Sequence, residues 1–262
     1  MKKLIIAPVC LGSLLSTVSF VARAADETPG DSPATFNAAL TSEYSYRGIS
    51  QSRLKPAAQA GADKAFASGF YIGTWASTIR WVKDAGGGAT AELDLYGGYK
   101  GQIDKDAGYD VGVLQYVYPG ASTVPFDASY KNPNTTELYG ALTYGPVTGK
   151  LSYALTNLFG NYDFAAGKGS QGSAYFDLSA AFDVSDGIMV APHVGYQNVV
   201  HIANASYTDY ALSIYKDFNG FVPSLMVSGT NASKSFYVPG VYANSSAFLG
   251  KTMLMAAVKY NF

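Results

Sequence analysis

The sequence predicts an all-β protein: a transmembrane, antiparallel, up-and-down β-barrel of about twelve strands with short periplasmic turns and longer extracellular loops. Three observations predict it. Segments of about ten residues alternate apolar and polar along most of the chain, as a wall with lipid on one side and a polar lumen on the other requires. The connections between them alternate strictly between short and long. The chain then stops on an alternating strand that ends Tyr260-Asn261-Phe262.

The bulk composition agrees with such a wall. Charged residues make up 14% of the chain, against about a quarter in ordinary soluble domains, while aromatic residues also reach 14% and Tyr alone numbers 21. Tyrosine suits both the interfacial girdles and the lumen of a barrel.

Residues 1–24 read as a cleaved signal peptide: Lys2 and Lys3, an apolar run from Leu4 to Val21, and a small-x-small site at Ala22-Arg23-Ala24. The single cysteine, Cys10, lies inside that run, so the mature chain has no thiol chemistry or disulfide. Without Lys2, Lys3 and Arg23, 15 basic residues face 19 acidic ones, which argues against a nucleic-acid partner. Residues 25–34 form a polar, proline-broken periplasmic tail, and the barrel occupies 35–262. No later stretch is apolar and long enough for a transmembrane helix, so a spanning chain must close its sheet to satisfy its backbone in lipid.

The first strand starts at Thr35. Phe36, Ala38, Leu40, Ser42, Tyr44 and Tyr46 share its outward face, and Asn37, Ala39, Thr41, Glu43, Ser45 and Arg47 its inward one. Further strands are expected over Pro56–Ala67, Phe70–Ile79, Ala89–Lys100, Gly108–Tyr116, Thr135–Tyr144, Val147–Asn157, Ser173–Asp183, Ile188–Val199, Tyr207–Phe218, Phe221–Thr230 and a closing strand from Lys251. The short connections are Ser68-Gly69, Gly101–Asp106, Gly145-Pro146, Val184–Gly187 and Asn219-Gly220; the first pair reads as a tight turn. The long ones are Gly48–Lys55, Arg80–Gly88, Val117–Asn134, Leu158–Gly172, Val200–Ser206 and Asn231–Ser246. A soluble β-sandwich has no reason to alternate its loop lengths.

On the closing strand, Leu254, Ala256, Val258, Tyr260 and Phe262 form an apolar face opposite Lys251 and Lys259. This resembles the terminal signal of bacterial outer-membrane barrels that the barrel-assembly machinery reads, with Tyr260 and Phe262 as its aromatic pair. A second resemblance covers most of the mature chain. Asn37 to Ser52, containing Tyr46-Arg47-Gly48-Ile49-Ser50-Gln51, is similar to the opening signature of the Gcw_chp type of proteobacterial outer-membrane proteins, a family of unknown function. Pro56–Asp63, Ser68–Ser77, Glu92–Tyr99 and Tyr116–Gly120 continue the likeness. The resemblance implies an exported outer-membrane barrel and supplies no reaction or ligand. The second strand departs from the pattern in being rich in alanine.

The candidate lumen-lining residues are Glu43, Arg47, Asp63, Glu92, Asp94, Asp110, Glu137, Asp177, His193 and Lys259. Arg47 stands at the outer rim of the first strand and is expected to anchor the loop there by pairing with Glu43 or Asp94, because a planar guanidinium holds a carboxylate with two donors at once. His193 points inward with Gln197, whereas His201 falls in a loop. Neither histidine has a serine in a nucleophile-elbow context, and the two with scattered carboxylates make no metal spacing. No catalytic residue, cofactor or metal is therefore expected. The partners are outer-membrane lipid and, during biogenesis, the assembly machinery; the sequence leaves oligomeric state open. Two functional classes remain: a passive channel for small hydrophilic solutes or ions, or a non-conducting scaffold or receptor acting through its loops. The long Val117–Asn134 loop is the candidate plug.

Overall fold

A computed structural model of the chain describes residues 33–122, 130–240, 243 and 245–262. The expected signal peptide and nearly all of the tail lie outside the described residues. Twelve wall strands follow in chain order. They are β1 (Thr35–Thr41), β2 (Ala57–Ala65), β3 (Phe70–Thr78), β4 (Ala91–Gln102), β5 (Ala107–Val117), β6 (Thr135–Tyr144), β7 (Val147–Ala154), β8 (Ala174–Ala180), β9 (Ile188–Asn198), β10 (Tyr207–Lys216), β11 (Phe221–Thr230) and β12 (Met253–Asn261). After a break at Ala181, β8 is continued by Phe182–Ser185. Each strand pairs antiparallel with its sequence neighbours, and β12 pairs with β1, so the sheet closes on itself. Closure leaves no edge strand with unpaired backbone groups, which is what makes a sheet tolerable in lipid.

The seam joins the two ends of the chain. Ala38 lies opposite Tyr260 and Leu40 opposite Val258. Beyond β12, the amide of Phe262 donates to Phe36 O and that of Phe36 to Phe262 O, both at 2.9 Å. The two rings stack with centroids 6.1 Å apart. The terminal aromatic residue thus closes the wall with its backbone as well as presenting an apolar ring.

Alternation sorts the faces. On β12, Leu254 is 71% exposed and Met255 3%. Leu40, Ile72, Leu95, Leu138, Leu151, Phe176, Leu212 and Leu225 continue the outward apolar belt around the wall. β2 interrupts it with Ala58, Ala60 and Ala62.

Connection lengths alternate. Residues 66–69, 103–106, 145–146, 186–187 and 217–220 turn at one end of the barrel. At the other end lie L1 (42–56), L2 (79–90), L3 (118–134), L4 (155–173), L5 (199–206) and L6 (231–252). Some strands end earlier than their periodicity suggests. β7 stops at Ala154 rather than Asn157, because Leu158–Gly160 forms a 3-10 turn that folds inward; β12 starts at Met253 rather than Lys251. The expected outward placement of Tyr44 and Tyr46 is also corrected. β1 ends at Thr41, the chain bends over the rim, and both tyrosines are buried inside the barrel. Alternation predicts faces only while the backbone stays extended.

Candidate functional site

L1 enters the mouth of the barrel. A two-residue hairpin, Ser45–Tyr46 against Ile49–Ser50, turns through Arg47 (φ 47°) and Gly48 (φ 76°). The glycine is required: a Cβ there would lie 2.4 Å from Thr230 Cγ2 and 2.8 Å from Asp209 Cβ. The loop's own polar residues brace it. The Tyr44 amide donates to Ser52 Oγ at 2.9 Å, Ser52 Oγ donates to Lys55 O at 2.6 Å, and the Leu54 amide donates to Ser50 Oγ at 2.9 Å. Backbone bonds then fasten it to its neighbours, from Ser50 N to Leu249 O in L6 and from Arg80 N in L2 to Gln51 O.

Beneath the loops lies an aromatic cap. Tyr44, Tyr46, Trp75, Ile79, Trp81, Val82, Tyr116 and Tyr118 form one buried cluster, with Tyr96, Tyr130 and Phe159 packed against it. Trp81 comes from a short helix, α1 (Trp81–Asp84), in L2, and meets Tyr118 edge-on at 5.1 Å. Phe159, held at φ 50° in the L4 turn, sits against Tyr46 (5.6 Å) and Tyr116 (5.3 Å). The expected plug, Val117–Asn134, contributes Tyr118, Ala121 and Tyr130 to this cap, while 123–129 lie outside the described residues. Among the described residues the cap also takes Tyr44 and Tyr46 from L1, Ile79, Trp81 and Val82 from L2 and Phe159 from L4.

Arg47 crosses the lumen. Its Nη1 donates to Glu137 Oε1 at 3.1 Å and to Gln197 Oε1 at 2.6 Å, and its Nη2 donates to Glu137 Oε2 at 2.7 Å. The guanidinium lies over the rings of Tyr175 (4.2 Å) and Tyr46 (4.8 Å). An acid partner was expected, but as Glu43 or Asp94. The left-handed turn at Arg47 aims the side chain across the barrel to β6 and β9, away from the neighbouring wall. Gln197, Tyr175 and Tyr46 carry none of the charge that marks a partner in sequence; only the inward phase of β8 and β9 flags the first two.

The remaining lumen residues group around this bridge. His193 has Nδ1 2.9 Å from Asp177 and Nε2 2.7 Å from Asp209. Tyr175 donates its hydroxyl to Asp209 at 3.0 Å. Asp209 was not among the sequence candidates, although its spacing from Tyr207 and Ser213 marks it inward. Glu92 accepts from the Tyr44 hydroxyl at 2.7 Å. Asp94 is buried beside the cap. Glu43, outside the spanning strands in L1, is buried as well, and burial pushes its carboxyl up to about 7.

Toward the short turns the lumen is less filled. Asp63 accepts from the Tyr96 hydroxyl at 2.6 Å and Asp110 from Tyr71 at 2.6 Å, and Tyr71 also bonds Tyr139. Lys150 lies over Tyr139 at 4.1 Å and Lys100 over Tyr71 at 5.2 Å. Most of these side chains are half-buried, whereas Lys259 is buried. The lumen is thus divided: carboxylates dominate near L1, and Lys100, Lys150 and Lys259 face Asp63 and Asp110 near the turns.

The geometry is that of a closed twelve-strand wall whose mouth is occupied by loop residues. The family model described as a bacterial protein of unknown function (Gcw_chp) matches residues 27–262. The chain belongs to the Gcw_chp family. Among curated proteins none matches this Gcw_chp chain. Solved barrels share its fold. The KdgM porin aligns at 8% identity over 87% of this chain and 99% of its own, with a TM-score of 0.52. The NanC porin aligns at 11% identity over 88% and 99%, with a TM-score of 0.51. At these identities the likeness concerns the fold alone.

Proposed function

We propose that this Gcw_chp protein is a porin-like, non-enzymatic barrel of the bacterial outer membrane that rests closed and passes small hydrophilic solutes or ions when L1 withdraws. The observation that carries the reading is the contrast along the lumen. Polar, half-buried walls near the short turns give way to a level at which Arg47, Glu92, Glu137, Asp177, Gln197 and Asp209 are all buried. A water path would expose the charged groups that line it, so a permanently open pore does not fit. A twelve-strand wall is wide enough to hold more than its own side chains, and here a loop fills the remainder. The signal peptide supplies export, and Tyr260 with Phe262 supplies the assembly signal. The short turns then face the periplasm and L1–L6 the exterior.

A second reading is a non-conducting scaffold or receptor, favoured by the aromatic cap. Planar-bilayer recording separates the two. The wild type is expected to be largely silent, and the double variant Arg47→Ala/Glu137→Ala, which removes both charges of the bridge, is expected to show discrete openings. Silence in both, with the variant still heat-modifiable on gels as a folded barrel, favours the scaffold. Steady large conductance in the wild type would overturn the closed resting state.

A further inference from the structure

Glu137, Gln197 and Tyr175 stand on three different wall strands, whereas the guanidinium they hold arrives on a loop. We infer that these wall groups form a binding site for guanidinium-bearing solutes, occupied in the resting chain by its own Arg47. The inference rests on the reading that L1 can leave the lumen.

The site is built for a guanidinium in particular. Glu137 takes both arms of the fork, at 2.7 and 3.1 Å, and the Gln197 carbonyl oxygen takes a further N–H at 2.6 Å. The Tyr175 ring lies 4.2 Å from the central carbon, where a flat, weakly hydrated cation stacks well and a compact ammonium gains less. Glu137, Gln197 and Tyr175 are each more than nine-tenths buried, and the Tyr116 hydroxyl donates to Glu137 Oε2 at 3.4 Å, leaving a carboxylate aimed at one cation. With L1 gone, that carboxylate loses its bidentate partner and its acceptor pair is free for another planar cation. Arg47 reaches the site only with its backbone in the left-handed region, next to Gly48 in the same region, a constraint that a free ligand does not share. A solute with the same head group can therefore compete with the tethered one.

Chemical rescue tests this. Arg47→Ala leaves the site vacant, and methylguanidinium at millimolar concentration is the probe, with tetramethylammonium as a cation that has no N–H fork. The readout is the temperature at which the folded barrel loses its fast gel mobility. Methylguanidinium is expected to raise it saturably by about 2–4 °C in Arg47→Ala, a shift appropriate to a chain of this size. No rise is expected with tetramethylammonium, in the wild type, or in Arg47→Ala/Glu137→Ala. Absence of a saturable rise in Arg47→Ala, or an equal rise in the double variant, overturns the site. Should Arg47→Ala not remain folded, the same comparison is read as refolding yield from urea: methylguanidinium is expected to raise it several-fold over tetramethylammonium only where Glu137 is present, and equal yields overturn the site. A bilayer arm tests the gate separately. Methylguanidinium is expected to increase openings of the wild type; rescue without such openings supports the site and removes the gating reading.

Discussion

The two halves of the lumen are made of the same wall yet solve the same problem differently. Near the short turns, carboxylates meet tyrosine hydroxyls and lysines contributed by strands, as in Asp63 with Tyr96 and Asp110 with Tyr71, and most of these groups are half-buried. Near the long loops, the carboxylates Glu92 and Glu137 are neutralised or capped by groups that L1 inserts, Tyr44 and Arg47, and all are buried. The difference teaches that a barrel's strands set its interior polarity, while loops decide whether that polarity is wet. It also places most of the vulnerable energy of the lumen on one hairpin.

The sharpest way to break this comparison is to remove the inserted charge. Arg47→Ala leaves Glu137 buried and uncompensated and is expected to cost about 3–5 kcal/mol. Lys150→Ala, at the half-buried end, is expected to cost less than about 1 kcal/mol. Urea unfolding of the two purified variants in the same detergent measures both; similar losses would mean that the halves are not distinct.

Next in size is the cap. Trp81→Ala removes a ring packed against Tyr118 and Phe159 and is expected to cost about 3 kcal/mol. The same unfolding curves give the value, and a loss under about 1 kcal/mol would show that L2 does not help seal the mouth.

Acidity sharpens the contrast further. Burial raises the Glu43 carboxyl from 4.5 to about 7, so the folded protein holds its proton more tightly than the unfolded chain. Its contribution is then fully present below pH 4.5 and is lost as pH rises toward 7. Glu43→Gln is expected to remove this dependence and to be the more stable form by about 1–2 kcal/mol above pH 7. Unfolding midpoints of both proteins between pH 4 and 8 check it, read as their difference because other groups titrate in both. A constant difference across that range would place Glu43 in water.

The smallest effect is expected at the other end. Tyr96→Phe deletes the donor to Asp63 where solvent can replace it, and a loss of about 0.5–1.5 kcal/mol is expected. A loss as large as that of Arg47→Ala would show that this half is as dry as the mouth.

Much of the architecture was legible in residue order alone. Period-two patterns such as Leu254, Val258 and Tyr260 against Met255 and Lys259 report a wall between two media, because side chains of an extended backbone alternate whatever they later touch. Consecutive antiparallel strands turn at opposite ends, so an alternation of short and long connections assigns each to one end of the wall, and that too can be read locally. The inward acids of β4, β6 and β8 could be named from phase for the same reason. Sequence could not say that Arg47 meets Glu137, ninety positions away, instead of Glu43 four positions away. Nor could it place Tyr44 and Tyr46 inside, since their apparent phase belongs to a strand that has already ended. Both follow from the closed wall bringing β6, β8 and β9 across from the first loop, and from the left-handed turn at Arg47 and Gly48 that only that enclosed space selects. Local periodicity determined the wall, and closure of the wall decided what fills it.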